Sequence, residues 1–244
     1  MATAVVHYTA AAVSDRGRKR SSNEDAFGFS VEHGVYLVCD GMGGAAAGEI
    51  ASSLAVEELM RLLTSRTEDT PMPQTAEEAI RAANQAIYSR SQRNQKLSGM
   101  GTTMVGLLVE DRRVLVLNIG DSRCYRLRNR RMEQLTIDHS LVEEQVRQGL
   151  MTRAEALRSP LKNMITRALG TQSQVTPDIF ELEAEPGDLF LLCSDGLTRE
   201  LSDSVIESHL GIDLPMEDRC ARLVKAANKA GGNDNITCLL VRAG

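Results

Sequence analysis

The sequence lacks the features that mark secreted, membrane-spanning or nucleic-acid-binding proteins. Its five cysteines are placed singly, with no Cys-x-x-Cys pair, which favours a reducing compartment over a disulfide framework. No apolar run approaches the length that crosses a bilayer, and no basic segment followed by an apolar one opens the chain. The formal net charge of -5 gives no general attraction to nucleic acid or to an anionic membrane. We therefore expect a cytoplasmic protein with neither kind of partner.

The composition is that of an ordinary globular protein. Hydrophobic residues make up 42% of the 244 residues and charged residues 25%, which is far from the composition of disordered chains. The sequence has no internal repeat, low-complexity tract or linker. We therefore expect one domain covering residues 1–244.

Short apolar runs bounded by turn residues predict strands, and apolar residues three or four positions apart predict helices. The predicted strands are 26–31, 35–39, 103–109, 114–119, 124–127, 179–182, 189–193 and 236–241. The predicted helices are 46–63, 75–93 and 215–230. Connections typical of hairpins, at 31–35 and 110–113, favour antiparallel pairing. The order of elements predicts an α+β fold of sheets covered by helices, with a less regular and mobile insertion at 141–170.

Four aspartates stand at the ends of predicted strands. They are Asp40 after 35–39, Asp121 after 114–119, Asp195 after 189–193 and Asp234 before 236–241. If the last strand runs antiparallel to the others, it begins at the edge of the sheet where they end. The sequence therefore predicts that the four carboxylates converge.

Converging carboxylates repel one another, and burial raises the cost of keeping them charged. Divalent cations remove that cost, and oxygen ligands suit Mg²⁺ or Mn²⁺ better than zinc. A glycine beside the acid, as in Asp40-Gly41, lets a backbone carbonyl approach an ion closely. A single Asp-Gly is more often only a turn. Its repetition at strand ends favours a metal site.

Short motifs occur in a fixed order along nearly the whole chain. They are Arg20-Ser21-Ser22-Asn23-Glu24-Asp25, Asp40-Gly41-Met42-Gly43-Gly44, Gly101-Thr102-Thr103, Gly120-Asp121-Ser122-Arg123, Asp138-His139-Ser140, Ser194-Asp195-Gly196-Leu197 and Asp234-Asn235-Ile236-Thr237. Each motif is weak alone, but the set in this order is specific. It resembles the metal-dependent protein serine/threonine phosphatases of the PPM (type-two-C) family, in its compact bacterial form.

The resemblance implies a four-layer αββα sandwich of two antiparallel sheets flanked by helix pairs, in one catalytic domain with a flap at about 141–170. It implies that Asp40 bridges two Mn²⁺ or Mg²⁺ ions, one of them also held by the carbonyl of Gly41. Asp195 and Asp234 would hold the other ion, and Asp121 would contribute to a third, weaker site.

The resemblance also implies how the substrate is bound and hydrolysed. Arg20 would grip the phosphate with its planar fork, and Glu24 would orient metal-bound water. Water activated by the metals would then hydrolyse phosphoserine or phosphothreonine in proteins, with no nucleophilic side chain. Asn163 in the flap would be a further contact to the third ion. The implied partners are phosphorylated proteins, including a serine/threonine kinase opposed in bacterial signalling, and we expect a monomer.

The sequence offers no clear histidine proton donor. Many relatives carry a histidine after the Gly-Gly of the first aspartate motif and a His-Pro in the flap, where this chain has Ala45 and Ser159. His139 stands at a predicted helix start, where Asp138 or Ser140 could cap, and we interpret it as structural.

Three other interpretations stay open on the sequence alone. A pseudophosphatase would bind phosphoproteins without turnover, although the complete set of acidic residues argues against it. A nucleotide-binding protein could use Gly41-Met42-Gly43-Gly44 as a phosphate loop, but the lysine and glycine spacings of known loops are missing. A phosphatase of the same fold that acts on an anti-sigma antagonist is disfavoured by Arg20.

Overall fold

The computed structural model describes residues 6–67 and 69–244, whose strands form two antiparallel sheets. The strands are β1 (Tyr8–Asp15), β2 (Asp25–Ser30), β3 (Val35–Met42), β4 (Gly101–Thr102), β5 (Met104–Glu110), β6 (Arg113–Ile119), β7 (Arg123–Arg128), β8 (Arg131–Gln134), β9 (Asp178–Glu183), β10 (Leu189–Cys193) and β11 (Ile236–Ala243). The helices are α1 (Ala45–Thr64), α2 (Met72–Arg93), α3 (Leu141–Arg147), α4 (Arg153–Arg158), α5 (Asp195–Thr198), α6 (Asp203–Leu210) and α7 (Met216–Ala230). A short 3-10 helix occupies Gln95–Leu97.

The two sheets differ in the order of their strands, and the first sheet pairs strands from the two ends of the described chain. The first sheet has the order β1-β11-β10-β7-β8, so the first described strand lies beside the last one. The second has the order β2-β3-β5-β6-β9, with β4 paired to β3. The hairpins β2–β3 and β5–β6 stand where the sequence predicts them.

The central strands, such as β10 and the first five residues of β3, are apolar because both of their faces are covered. In β10, Leu189 and Leu191 belong to the core under α6 and α7, whereas Phe190 and Leu192 belong to the core between the sheets. In β3, Leu37 likewise belongs to the core under α1 and α2. The layers are therefore helix, sheet, sheet and helix, as the αββα prediction requires.

All predicted strands and the three long helices are present, with bounds that shift by a few residues. The predicted strand at 103–109 starts one residue later, at Met104, because Thr103 separates β4 from β5. The elements that the sequence pattern does not predict are β1, β4, β8, α4 to α6 and the 3-10 helix, whereas α3 begins after Ser140, at the helix start expected near His139. The predicted insertion at 141–170 contains α3 and α4 and returns to the core through a bridge between Ser140 and Ile165.

The connection from β3 to α1 depends on two glycines. Gly43 and Gly44 have φ values of 119° and 90°, which residues with a Cβ rarely adopt. The turn lets the helix start directly after the strand that carries Asp40. Among the helices of residues 6–67 and 69–244, none is both long and apolar enough to cross a membrane.

Candidate metal centre

The predicted aspartates lie together at one edge of the sandwich. Asp40 is in β3 and Asp121 follows β6, and these strands end at the same edge because both run antiparallel to β5. Asp195 begins α5 after β10, and Asp234 precedes β11, which starts where β10 ends. Each sheet therefore contributes two of the four carboxylates.

The proximity of these carboxylates is visible in their pKa values. Burial raises the pKa of Asp40 well above its usual range, and repulsion from Asp25, Asp195 and Asp121 raises it further. The pKa of Asp195 is raised well above its usual range by burial and by Asp121. Burial also raises the pKa of Asp121, which Arg199 partly offsets. Nearby cations would therefore favour the charged form of this cluster.

The backbone of Asp40 is held by the threonines of the Gly101-Thr102-Thr103 motif. Its N–H donates to Oγ1 of Thr103 at 3.0 Å, and its carbonyl accepts from Oγ1 of Thr102 and from N–H of Thr103, each at 2.9 Å. Oγ1 of Thr103 also lies 2.7 Å from Oγ of Ser122, the residue after Asp121. These bonds fix two of the aspartate motifs relative to each other.

Gly41 and Gly48 allow Glu24 to lie close to the start of α1. Gly41 donates its N–H to the carbonyl of Glu24 at 3.1 Å, and Oγ of Ser52 donates to the same carbonyl at 2.6 Å. A Cβ on Gly48 would overlap Oε2 of Glu24, and a Cβ on Gly41 would overlap the carbonyl of Gly48. Close approach of the backbone thus requires glycine at position 41, whereas a Cβ at position 48 would displace the carboxylate of Glu24.

Asn235 anchors the segment that carries Arg20 and Glu24. Its Oδ1 accepts from the N–H of Glu24 at 2.9 Å, and its Nδ2 donates to the carbonyls of Arg16 and Ser22. The Asp234-Asn235 motif therefore supplies an acidic group and also positions a distant segment.

Asp25 is an acidic residue of the site that the sequence reasoning did not single out. It lies directly opposite Asp40 in the β2–β3 pair. Its Oδ2 accepts from the hydroxyls of Ser194 and Thr237, each at 2.7 Å, while its buried Oδ1 has no partner in the described chain. Burial raises the pKa of Asp25 to about 6. Its place in the Asn-Glu-Asp motif was the available signal.

Two arginines contact the cluster. Nη2 of Arg20 donates to Oδ2 of Asp234 at 2.8 Å, and its Nη1 lies 4.0 Å from Oε1 of Glu24. Arg199, which the sequence reasoning missed, forms ion pairs with Asp195, with Oδ2 of Asp234 at 3.2 Å and with Oδ2 of Asp121 at 3.6 Å. No sequence pattern distinguishes Arg199 from an exposed helix residue.

The donor atoms fit a divalent cation, although they are not arranged around one. Within residues 6–67 and 69–244, no three acidic, histidine or cysteine side chains stand so that they could hold a metal ion directly. Several of the carboxylates contact Arg199 instead. The set is nevertheless all oxygen and strongly negative, and Oδ1 of Asp195 is buried without a partner. Such a set suits Mn²⁺ or Mg²⁺.

Both ring nitrogens of His139 contact other groups of the protein, as in a structural histidine. Its Nδ1 accepts from the N–H of Gly120 at 3.1 Å, and its Nε2 lies 3.1 Å from Oδ2 of Asp178 and 3.2 Å from Nη1 of Arg167. Burial lowers the pKa of His139, so the neutral ring is favoured. Both ring nitrogens are engaged, and Ser140 caps α3 by accepting from the N–H of Glu143.

The motifs at Asp121 and His139 are also joined by an ion pair. Arg123 forms a bidentate pair with Asp138, with Nε to Oδ1 at 2.9 Å and Nη2 to Oδ2 at 2.7 Å. Asn163, by contrast, is exposed in the turn after α4, and no hydrogen bond in the described chain joins its side chain to the acidic cluster.

Comparisons with known proteins agree with this arrangement. The sequence model of the family described as protein phosphatase 2C matches residues 15–241. The chain is 39% identical over 238 residues to the serine/threonine phosphatase stp of Listeria monocytogenes serotype 4b (strain F2365), with 93% of each chain covered. It is similar in structure to the Mycobacterium tuberculosis serine/threonine phosphatase PstP/Ppp, with a TM-score of 0.91, 36% identity and coverage of 98% of this chain and 99% of the other.

A second crystal structure, of the catalytic domain of the serine/threonine protein phosphatase PstP, contains two manganese ions. It matches with a TM-score of 0.89 and 36% identity, over 98% of this chain and 99% of the other. The family model covers well over half of the sequence. The Listeria phosphatase and the PstP structures match this chain over nearly their full lengths and its own. This chain therefore belongs to the protein phosphatase 2C family.

Proposed function

We propose that this protein is a metal-dependent protein serine/threonine phosphatase. The observation that carries the proposal is the cluster of buried carboxylates from both sheets, with the arginine of the Arg20–Asp25 motif at its exposed rim. The names of the relatives support the same activity. The manganese ions in the PstP catalytic domain support Mn²⁺ or Mg²⁺ as the cofactor.

The proposed metal ligands are Asp40 with the carbonyl of Gly41, Asp195 with Asp234, and Asp121 for a third, weaker ion. Two divalent cations at such a site supply a water nucleophile near neutral pH and neutralise charge on the phosphate. Asn163 is proposed as a contact to the third ion only if the flap brings it closer than in the arrangement described above.

The remaining roles belong to side chains around the ligands. Arg20 is about half exposed, with 46% of its side-chain surface accessible, so a phosphate from solvent can reach its guanidinium. Its Nη2 meanwhile donates to Asp234. Its fork can bind two phosphate oxygens in parallel, which orients the phosphorus for in-line attack. Glu24 is buried against Gly48, and its proposed role is to orient water.

The same proposal extends to the cellular setting. We infer that the substrates are phosphorylated proteins, including a serine/threonine kinase whose action in bacterial signalling the enzyme reverses. We also infer that the protein acts as a cytoplasmic monomer and that residues 1–244 form one catalytic domain. The formal net charge of -5 gives no general attraction to nucleic acid or to an anionic membrane.

The experiment is a phosphate-release assay on phosphoserine and phosphothreonine peptides. Protein treated with a chelator should be inactive, and added Mn²⁺ or Mg²⁺ should restore turnover. Asp40→Asn is the matched variant, because it keeps the shape of the residue at the centre of the cluster and removes its charge. It should stay inactive with metal present.

Other results would favour the alternatives. Tight phosphopeptide binding without turnover in any divalent metal would identify a pseudophosphatase. Full activity after exhaustive chelation, with metal absence confirmed by elemental analysis, would exclude the metal mechanism. Preference for a phosphorylated anti-sigma antagonist over phosphorylated kinase peptides would place the protein in that branch of the fold.

A further inference from the structure

The guanidinium of Arg199 lies among carboxylates from both sheets. It forms an ion pair with Asp195, and its Nη2 lies 3.6 Å from Oδ2 of Asp121. Its Nη1 lies 3.2 Å from Oδ2 of Asp234. The three acids are those assigned above to the second and third ions, whereas Asp40 forms no ion pair with Arg199 in the described chain.

The position of Arg199 is set by its backbone. Arg199 follows α5 and donates its N–H to the carbonyl of Asp195 at 2.8 Å, so the two residues are one helical turn apart and share a face. The side chain keeps 31% of its surface exposed, whereas those of Asp195 and Asp121 are nine-tenths buried. The arginine can therefore swing toward solvent, while the two acids cannot.

We propose that Arg199 is an internal competitor that lowers the affinity of the protein for divalent cations. The inference rests on the metal centre of the proposed function. A guanidinium and a divalent cation would bind the same three carboxylates, and their like charges exclude close approach. Ion binding must therefore displace Arg199 toward solvent, and the lost ion pairs weaken the observed affinity.

The competition is selective among the proposed ions. Ligands contacted by Arg199 should bind ions more weakly, and the ion held by Asp40 and Gly41 should be less affected. The phosphatase would then require a higher concentration of free divalent cation than a variant without the arginine. Catalysis becomes sensitive to the metal supply through one residue of this chain.

The contacts also admit a different role, since Arg199 shares Oδ2 of Asp234 with Arg20. A second arginine at the rim could bind substrate phosphate alongside the first. That role predicts weaker phosphopeptide binding on substitution with no change in metal affinity. The competitor role predicts tighter metal binding, so the two roles give opposite readouts.

The test is calorimetric titration of chelated full-length protein with Mn²⁺. Arg199→Met keeps much of the length of the side chain and removes its charge. It should bind at least one Mn²⁺ about tenfold more tightly, the equivalent of one to three partly exposed ion pairs. The Mn²⁺ affinity of Arg199→Lys should lie between those of Arg199→Met and wild type. Arg126→Met, which removes an arginine paired with Glu133, is the control and should retain wild-type affinity.

Equal Mn²⁺ affinity in wild type and Arg199→Met would overturn the inference and leave the phosphatase assignment intact. A raised KM for phosphopeptide with unchanged Mn²⁺ affinity would also overturn it, in favour of phosphate binding. Failure of both proteins to bind Mn²⁺ would instead overturn the metal centre itself.

Thermal melting gives a second readout. Arg199→Met should lower the Tm of the chelated protein, because the buried acids lose their cation, and should enlarge the rise in Tm caused by Mn²⁺. An unchanged rise would count against the inference. If the chelated Met variant does not fold, Arg199→Gln, which retains hydrogen-bond donors without the charge, replaces it in both measurements.

Discussion

At the scale of single residues, Arg20 contacts the acidic cluster only at its rim. Charge-assisted hydrogen bonds contribute roughly 1.5–3 kcal/mol, so Arg20→Ala should lower kcat/KM on phosphopeptides by about 10- to 100-fold. Mn²⁺ affinity should change far less, because among residues 6–67 and 69–244 the guanidinium of Arg20 is within hydrogen-bonding distance of a single cluster carboxylate, that of Asp234. Steady-state kinetics and calorimetry check the two expectations.

Arg16→Ala is the matched control, since Arg16 lies in the same segment and donates to the carbonyl of Ser21. It should retain nearly full activity. If Arg16→Ala and Arg20→Ala lose activity equally, the effect belongs to the segment and Arg20 is not the phosphate ligand.

Asp121 is assigned to the third ion, so its removal should separate ion binding from turnover. Asp121→Ala should still bind two ions tightly, while kcat falls sharply. Counting the ions by calorimetry, together with kcat on a phosphopeptide, checks this. Loss of all ion binding would place Asp121 in the main centre instead.

His139 connects Gly120, beside Asp121, to Asp178 at the start of β9. Because both ring nitrogens are engaged, it should position the turn and not donate a proton to the leaving group. His139→Gln should therefore lower activity on phosphoserine peptide and on nitrophenyl phosphate by similar factors. Kinetics on the two substrates check this.

A general acid would behave differently, because a serine alkoxide needs a proton to leave and nitrophenolate does not. It typically contributes a factor of about 10²–10⁴ to such a step. A loss confined to phosphoserine would make His139 the acid and refute its structural role. Asp178→Asn, which weakens the contact at Nε2 of the ring and the ion pair with Arg167, should have a smaller effect that is equal on both substrates.

At the scale of elements, α1 shows a conflict between local propensity and tertiary contact. Alanine in place of a helix glycine stabilises a helix by roughly 0.5–1 kcal/mol, which would favour Gly48→Ala. In the folded protein the new Cβ would overlap Oε2 of Glu24, the end of a flexible side chain. We expect a Tm within a few degrees of wild type but a kcat lowered by about tenfold or more.

Gly211→Ala is the matched control for Gly48→Ala. Gly211 follows α6 with φ of -72°, and a Cβ there would meet its nearest atom at 3.4 Å. It should change neither Tm nor kcat appreciably. Full activity of Gly48→Ala would show that the position of Glu24 is not needed for turnover.

At the scale of the whole molecule, the candidate ligands link the two sheets. Ion binding should therefore stabilise the fold as well as activate it. At a free Mn²⁺ concentration about 100 times Kd, binding adds roughly 2.7 kcal/mol, which corresponds to about 5–10 °C in Tm for a chain of this length. Calorimetric melting with and without Mn²⁺ measures it.

Asp40→Asn provides the comparison in the melting experiment. Removing a carboxylate from a repelling cluster should raise the Tm of chelated protein, and the response to Mn²⁺ should shrink. An identical response to Mn²⁺ in wild type and Asp40→Asn would mean that the ions bind elsewhere.

The sequence alone was sufficient for most of the framework. β10 and residues 35–39 of β3 are apolar at every position because the sandwich buries both faces, and that pattern is visible without coordinates. The position of an aspartate at the end of each run then indicates where carboxylates meet. The ordered set of short motifs, through the family that it resembles, carries the rest of the prediction.

Other elements were decided by contacts that no local pattern contains. β1 has small and polar residues in YTAAAVSD and becomes a strand because it pairs with β11 at the other end of the chain. Asp25 and Arg199 joined the site for the same kind of reason. Their neighbours come from distant segments, so their burial, charge environment and partners exist only after the two sheets have closed on each other.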